Sequence, residues 1–257
     1  MKKKKNTEYL ISLFLAIFAS LIIGAFIMLA NGRNPIVGYT SLINGAFGSK
    51  YNIATTLAKT VPLILTGLAT SISFRSGISN IGGEGQLYLG AFGAALIGIT
   101  FITLPGIVGI PFAILMSAIA GGLYALLPAI LKVKYNIDEV IVTIMLNTVA
   151  VLFTGYLVNY PFAADVGKLG ATEVIADGYQ LSRLVRLSTL NTSIFHVILI
   201  TIIMYYLLER TSIGYEIKMV GQNTNFSRYG GINVKRRMIF AMIVSGALCG
   251  IAGAFEV

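Results

Sequence analysis

Residues 73–90 read SFRSGISNIGGEGQLYLG, a polar and glycine-rich break between strongly apolar stretches. The side chains able to do chemistry here are Arg75, Asn80, Glu84 and Gln86, spaced by Gly77, Gly82, Gly83 and Gly85. Each of the four is costly in hydrocarbon, and each glycine weakens a continuous helix. Such a segment persists in a membrane only where it lines a cavity, packs inside a bundle or sits at an interface.

Residues 132–147, KVKYNIDEVIVTIMLN, hold the second group. Asn136 is expected to cap the helix that follows, with Asp138 and Glu139 in its first turn, where the helix dipole favours carboxylates. Thr143 and Asn147 are four apart and share a face deeper in that helix. Interhelical hydrogen bonding and pore lining fit them equally. The third group is the polar stretch 209–237, too long for a hairpin turn. Ile213, Ile217 and Val220 recur at helical spacing and Gly221 closes that piece, while 225–229 forms a second short helix before Gly230 and Gly231. A docking surface for a soluble partner and an amphipathic loop on anionic headgroups both fit this pattern.

Other chemistries have no residues to carry them. The order Gly-Lys-Ser/Thr is absent from 45–50, and 82–85 follows no strand, so neither a phosphate loop nor a dinucleotide fingerprint is present. His196 is the only histidine and reads as a packed or interfacial residue. Cys249 is the only cysteine, which excludes an intramolecular disulfide and a cysteine metal cluster. No catalytic residue, metal site or bound cofactor is expected.

The elements that position these groups follow from composition. Of 257 residues 56% are hydrophobic and 11% charged, with a mean hydropathy of +0.83. Soluble domains carry about 25% charged residues, so the chain is an all-α polytopic membrane protein. The 28 glycines suit close helix packing in lipid. The net charge of +9 comes from basic residues between apolar runs, where orientation explains them better than nucleic acid does.

A spanning helix needs about 20 apolar residues. Charge-free gaps give spans at 10–30, at 60–74 (15 residues, a short one), two within 85–131 joined near Pro105, and at 140–160, 190–208 and 238–257. That makes seven, the last beginning after Lys235, Arg236 and Arg237. The uncharged run 9–32 is 24 residues, longer than the roughly 7–15 of a signal-peptide core, so it is a retained span. With the N-terminus cytoplasmic, inner segments carry Lys2–Lys5, Arg75, Lys132, Lys134, Arg210, Lys218, Arg228, Lys235, Arg236 and Arg237. Those are 13 of 19 basic residues; Arg33, Lys50, Lys59, Lys168, Arg183 and Arg186 remain outside. The outer loop 161–189 has room for short interfacial helices. The last span lacks a polar tail, so a fragment of a longer polypeptide, truncated at its C-terminus, is expected.

Three segments together, FRSGISNIGGEGQ, IDEVIVTIMLN and RTSIGYEIKMVGQN…RYGGINV…SGALCGIAGAFEV, resemble the permease subunits of bacterial ABC importers. The branch is that of branched-chain amino acid, ribose and nucleoside permeases, and the first two segments are most similar to its nucleoside/simple-sugar group. The resemblance covers nearly the whole chain. It implies a single transmembrane permease domain over 1–257, incomplete at its C-terminus, in the bacterial cytoplasmic membrane. It implies two ATPase subunits that bind ATP and Mg, a second homologous permease chain and an extracytoplasmic lipoprotein that binds the solute. The loop 209–237 matches the family's ATPase-coupling loop, which places Gly214, Tyr215, Gly221, Asn223, Arg228, Tyr229, Gly230 and Gly231 at that contact. Gly83 and Cys249 stand where alanine is usual, and Asn225-Phe226-Ser227 where small alanines are common.

The expected activity is ATP-driven import of a nucleoside or related simple sugar, with ribose-type sugars or branched-chain amino acids as the alternative. Asn80, Glu84, Gln86, Thr143 and Asn147 are expected to line or support the pathway, their neutral amides and hydroxyl suiting a hydroxylated or heterocyclic solute. Asn80 is expected as the N-cap of the helix that Glu84 and Gln86 open, with Glu84 a hinge or cap first and a solute contact second. An ATPase-independent secondary transporter needs relay carboxylates, and only Glu84 and Glu256 lie in spans.

Overall fold

The computed structural model describes residues 2–164, 170–185 and 188–257, the side chains of 2–10 and of Asp177 excepted. Lys168 and Arg186 of the stretch 161–189 therefore lie outside the described residues. Ten α-helices are described: α1 (Lys2–Ala30), α2 (Pro35–Phe47), α3 (Lys50–Arg75), α4 (Gly83–Thr100), α5 (Gly106–Tyr135), α6 (Glu139–Asn159), α7 (Ser193–Arg210), α8 (Ser212–Gln222), α9 (Thr224–Tyr229) and α10 (Val234–Glu256). Seven of them, α1, α3, α4, α5, α6, α7 and α10, have 18 residues or more. Six are long and apolar enough to cross a membrane: residues 11–30 of α1, and α3, α5, α6, α7 and α10. The polar start of α4 sets it apart from these.

The chain divides into two compact units, Met1–Thr56 and Leu57–Val257. In the first, Asn34 caps α2 by accepting Ile36 N at 2.9 Å, with Pro35 at the first helical position, where its missing N–H costs nothing. Tyr39 Oη donates to Leu21 O at 2.5 Å, and Asn52 Nδ2 to Asn44 O at 2.7 Å. The helix α2 was not expected from the sequence. Nor was the early start of α3, which runs through Lys59 instead of stopping at it.

In the second unit α10 is the central helix, packed between α4 and α5. Backbones meet here because the contact residues have no side chain. A Cβ on Gly246 would overlap Gly121 O and Ala125 Cβ, and one on Gly90 would overlap the Gly250 backbone. Ser117 Oγ donates to Gly250 O across the same seam. In lipid such close packing and interhelical bonding replace the hydrophobic drive of a soluble core. Leu65, Ile72, Val197, Ile217 and Ala241 are fully buried between α3, α7, α8 and α10. Leu123 and Leu127 of α5, Leu152 and Phe153 of α6, and Ile198 and Ile202 of α7 form exposed apolar surface.

Three boundaries differ from expectation. Asn136 does not cap α6: it ends α5 in the left-handed region at φ 52°, which asparagine tolerates. Asp138 takes the cap instead, accepting Val140 N at 2.9 Å and Ile141 N at 3.2 Å. The triplet Lys235–Arg237 lies inside the first turn of α10, because Asn233 accepts Arg236 N at 3.1 Å and starts the helix before it. Between α6 and α7 the only helical piece among the described residues is a single 3₁₀ turn, Asp177–Tyr179, anchored by Tyr179 Oη donating to Phe101 O at 2.7 Å.

Candidate functional site

The polar break is a built element. Helix α3 stops where Gly77 adopts φ +79°, and Ile78 N returns to Ser73 O at 3.3 Å. The chain then turns back into the bundle. Ile78 is buried with Ala129 and Met242, and Asn80 Nδ2 reaches Ser245 Oγ at 2.8 Å. Ser245 is eleven residues into α10, about 17 Å at 1.5 Å per residue, where the hydrocarbon core is about 30 Å thick. Helix α4 therefore begins inside the bundle.

An interruption at that depth exposes backbone groups, and side chains of α6 and of the break itself satisfy them. Glu139 Oε1 accepts Ser79 N at 3.3 Å while its Oε2 lies 2.8 Å from Lys132 Nζ. Asn147 grips the break at two points, donating Nδ2 to Ile81 O at 3.0 Å and accepting Gly85 N on Oδ1 at 2.9 Å. Asn80 and Gln86 form a reciprocal amide pair at 3.0 and 3.1 Å, and Ser245 Oγ passes the chain on to Ala69 O at 2.7 Å. Thr143 is buried, donates to Glu139 O of its own helix at 2.7 Å and packs on Gly82. The structure thus gathers four of the five expected pathway residues around the break: Asn80 and Gln86 bond each other, Asn147 bonds its backbone, and Thr143 packs on it while bonding only within α6.

Asn80 is not the N-cap of α4. That position belongs to Gly82, with no side-chain cap bond. Asn80 Oδ1 accepts Gly82 N at 3.0 Å, closing an Asx turn, so the helix starts three residues past Asn80. Glu84 neither caps nor pairs. It lies exposed in the first turn of α4, without a hydrogen-bond or ion-pair partner among the described residues, at the edge of a 320 Å³ cavity between α3, the break and α10.

At the adjoining end of the bundle, 209–237 folds as helix–turn–helix. Thr211 caps α8, accepting Gly214 N at 3.2 Å, and Asn223 caps α9, accepting Phe226 N at 2.9 Å. Gly230 ends α9 and Gly231 turns the chain at φ +81°. Ile217 and Val220 are buried beneath α8, while Tyr215 and Phe226 border a 280 Å³ groove and Arg228 and Tyr229 are exposed beside them on α9. The segment is pinned to the bundle by Arg237 Nε–Glu216 Oε2 at 2.5 Å, and α7 to α3 by the Arg75–Glu209 pair. Gly221 abuts the break itself: a Cβ there would overlap Arg75 O and lie 3.0 Å from Gly77 N.

Sequence reasoning missed Ser245, Glu139 as a clamp on Ser79, and the Glu216–Arg237 pair. The i, i+4 spacing found Thr143 and Asn147, but the bonding partners of Asn147, Ile81 and Gly85, are 66 and 62 residues away and leave no local signal. His196 is a packed residue, its Nδ1 3.0 Å from Thr192 O and its ring 5.9 Å from that of Phe255. Among the described residues no group of three His, Cys, Asp or Glu side chains is placed to hold a metal ion.

The family of permease components of the branched-chain amino acid transport system matches residues 52–257, which takes in the break, α6, α8–α9 and α10. The chain belongs to this family. It is 36% identical over 254 residues to the guanosine ABC transporter permease protein NupP of Bacillus subtilis, covering 98% of this chain and 73% of that one. It is 35% identical to the nucleoside ABC transporter permease protein NupB of Lactococcus lactis, covering 97% and 70%. The glucose ABC transporter permease protein TsgB13 of Haloferax volcanii is 26% identical, covering 95% and 66%. No solved structure matches the chain. The protein is an ABC transporter permease, a multi-pass protein of the cell membrane.

Proposed function

We propose that this permease carries nucleosides or a related simple sugar inward through an ATP-driven transporter. The observation that carries the reading is the identity of 35–36%, over nearly the whole chain, with permeases named for guanosine and for nucleosides. A third relative is named for glucose, and nucleosides and glucose share vicinal hydroxyl groups. The chain itself is non-catalytic. ATP and Mg bind two partner ATPase subunits, a second homologous permease completes the pathway, and an extracytoplasmic lipoprotein delivers the solute.

In this reading the N-terminus and 209–237 face the cytoplasm. The coupling contact is formed by α8 and α9, with Gly214, Gly221, Asn223, Gly230 and Gly231 shaping it and Tyr215, Arg228 and Tyr229 presenting it. Asn80, Gln86, Thr143 and Asn147 support the pathway by holding the break, and Glu84 borders it. Reversing the charge with Arg228→Glu should leave the permease in the membrane and cut uptake at least tenfold while the ATPases still turn over. Uptake that stays coupled to hydrolysis in that variant would count against the docking role. Uptake that persists with hydrolysis-dead ATPases, driven by an ion gradient, would show a secondary transporter instead.

A further inference from the structure

The 320 Å³ cavity beside the break is framed by Thr66, Thr70 and Phe74 of α3, by Ile81 and Glu84, and by Ser245. Its size lies within the roughly 300–1,000 Å³ of small-molecule sites. Thr66 and Thr70 are nine and five residues from the end of α3 at Arg75, about 8–14 Å into the helix. Together with Ser245 at about 17 Å along α10, this places the cavity well inside the span.

Its polar groups divide sharply. Asn80 and Ser245 are consumed by the network that holds the break. The hydroxyls of Thr66 and Thr70 donate to Pro62 O and Thr66 O, both at 2.8 Å, so their oxygens keep lone pairs free to accept. Glu84 has no partner among the described residues. Neither basic side chain that holds the break region is open to it, since Arg75 is paired with Glu209 and Lys132 with Glu139. An ionised carboxylate at this depth is costly unless it faces water or a polar ligand.

We infer that Glu84 recognises the solute by accepting hydrogen bonds from its vicinal hydroxyl groups. Thr66 and Thr70 accept further donors from the α3 side, and Phe74 offers an apolar face. The ligand class is an uncharged hydroxylated solute; the lone carboxylate disfavours an anion. This deepens the importer reading and rests on it.

The test compares uptake of a radiolabelled nucleoside with that of its 2′,3′-dideoxy counterpart by the assembled transporter, for wild type and Glu84→Gln. Membrane abundance is followed by immunoblot. Selectivity added by a binding protein upstream is common to both and cancels in the ratio. The expected result is unchanged abundance and a preference for the hydroxylated solute that shrinks about tenfold or more, as loss of hydrogen bonds to a charged acceptor implies. Glu84→Asp, which keeps the charge, should retain part of the preference. A preference unchanged within twofold in Glu84→Gln sinks this assignment alone. So does a Glu84→Gln chain that fails to accumulate, which would make the carboxylate a structural residue. A wild-type transporter that takes up no nucleoside sinks the nucleoside reading, and this assignment with it.

Discussion

Asn147 shows how a single side chain makes a helix interruption tolerable inside a membrane. Its amide donates through Nδ2 and accepts through Oδ1, and the break presents a partner for each, Ile81 O and Gly85 N, within 3.0 Å. Leucine of similar size would leave both backbone groups without partners. Each such group costs about 1–3 kcal/mol when buried, so Asn147→Leu, at a half-buried position, should destabilise the protein by about 2 kcal/mol. Asn147→Asp keeps the acceptor for Gly85 N and loses the donor to Ile81 O, so it should fall between. Thermal unfolding in detergent would check the order wild type, Asp, Leu; equal midpoints for all three would show that the clamp carries no weight. That Asn147 and Thr143 share a face was legible from their spacing. That they serve the break was not, because a backbone group on a distant segment has no residue type to announce it.

At the scale of elements, most spans were legible because apolar length is set by the bilayer. The joint at Pro105, the extents of α6 and α7, and the two short helices of 209–237 all follow the sequence pattern. Two of the failures share one cause, that a charged residue need not end a span: α3 starts before Lys59 and α10 before Lys235. Lys59 sits within α3, exposed and 3.9 Å from Glu256, so a cation can ride on a helix without ending it. The pairing of elements was less legible still, since glycine seams depend on two helices at once. Gly221 against Arg75 and Gly77 is the seam that joins α8 to the break. Gly221→Ala places a methyl group against backbone atoms that cannot rotate away, at a cost of about 1–3 kcal/mol for overpacking. We expect normal membrane abundance, uptake lowered at least tenfold and ATP hydrolysis retained, because α8 would be held off the break it adjoins. Gly67→Ala on α3 meets nothing within 4 Å and should be silent. Coupled uptake in Gly221→Ala equal to that of Gly67→Ala would remove the seam from the coupling route.

For the whole molecule, the asymmetry of charge gives a prediction that reaches both faces of the membrane. Within Leu57–Val257, the end formed by α8, α9 and the start of α10 carries Arg210, Lys218, Arg228, Lys235, Arg236 and Arg237, whereas the opposite end, among the described residues, carries Lys59 and Arg183. Lysine and arginine accumulate on the cytoplasmic side, so the α8 end should face inward. The native chain makes the test simple, because its single cysteine, Cys249, is 2% exposed inside the bundle and should not react with a membrane-impermeant maleimide. Lys218 and Glu173 are exposed at the two ends and tolerate a small replacement. In intact cells the reagent should label Glu173→Cys and spare Lys218→Cys, which should react only after permeabilisation. The opposite pattern would invert the protein in the membrane. It would put α8 and α9 on the face where no ATPase can reach them, and the coupling role of 209–237 would fall with the orientation.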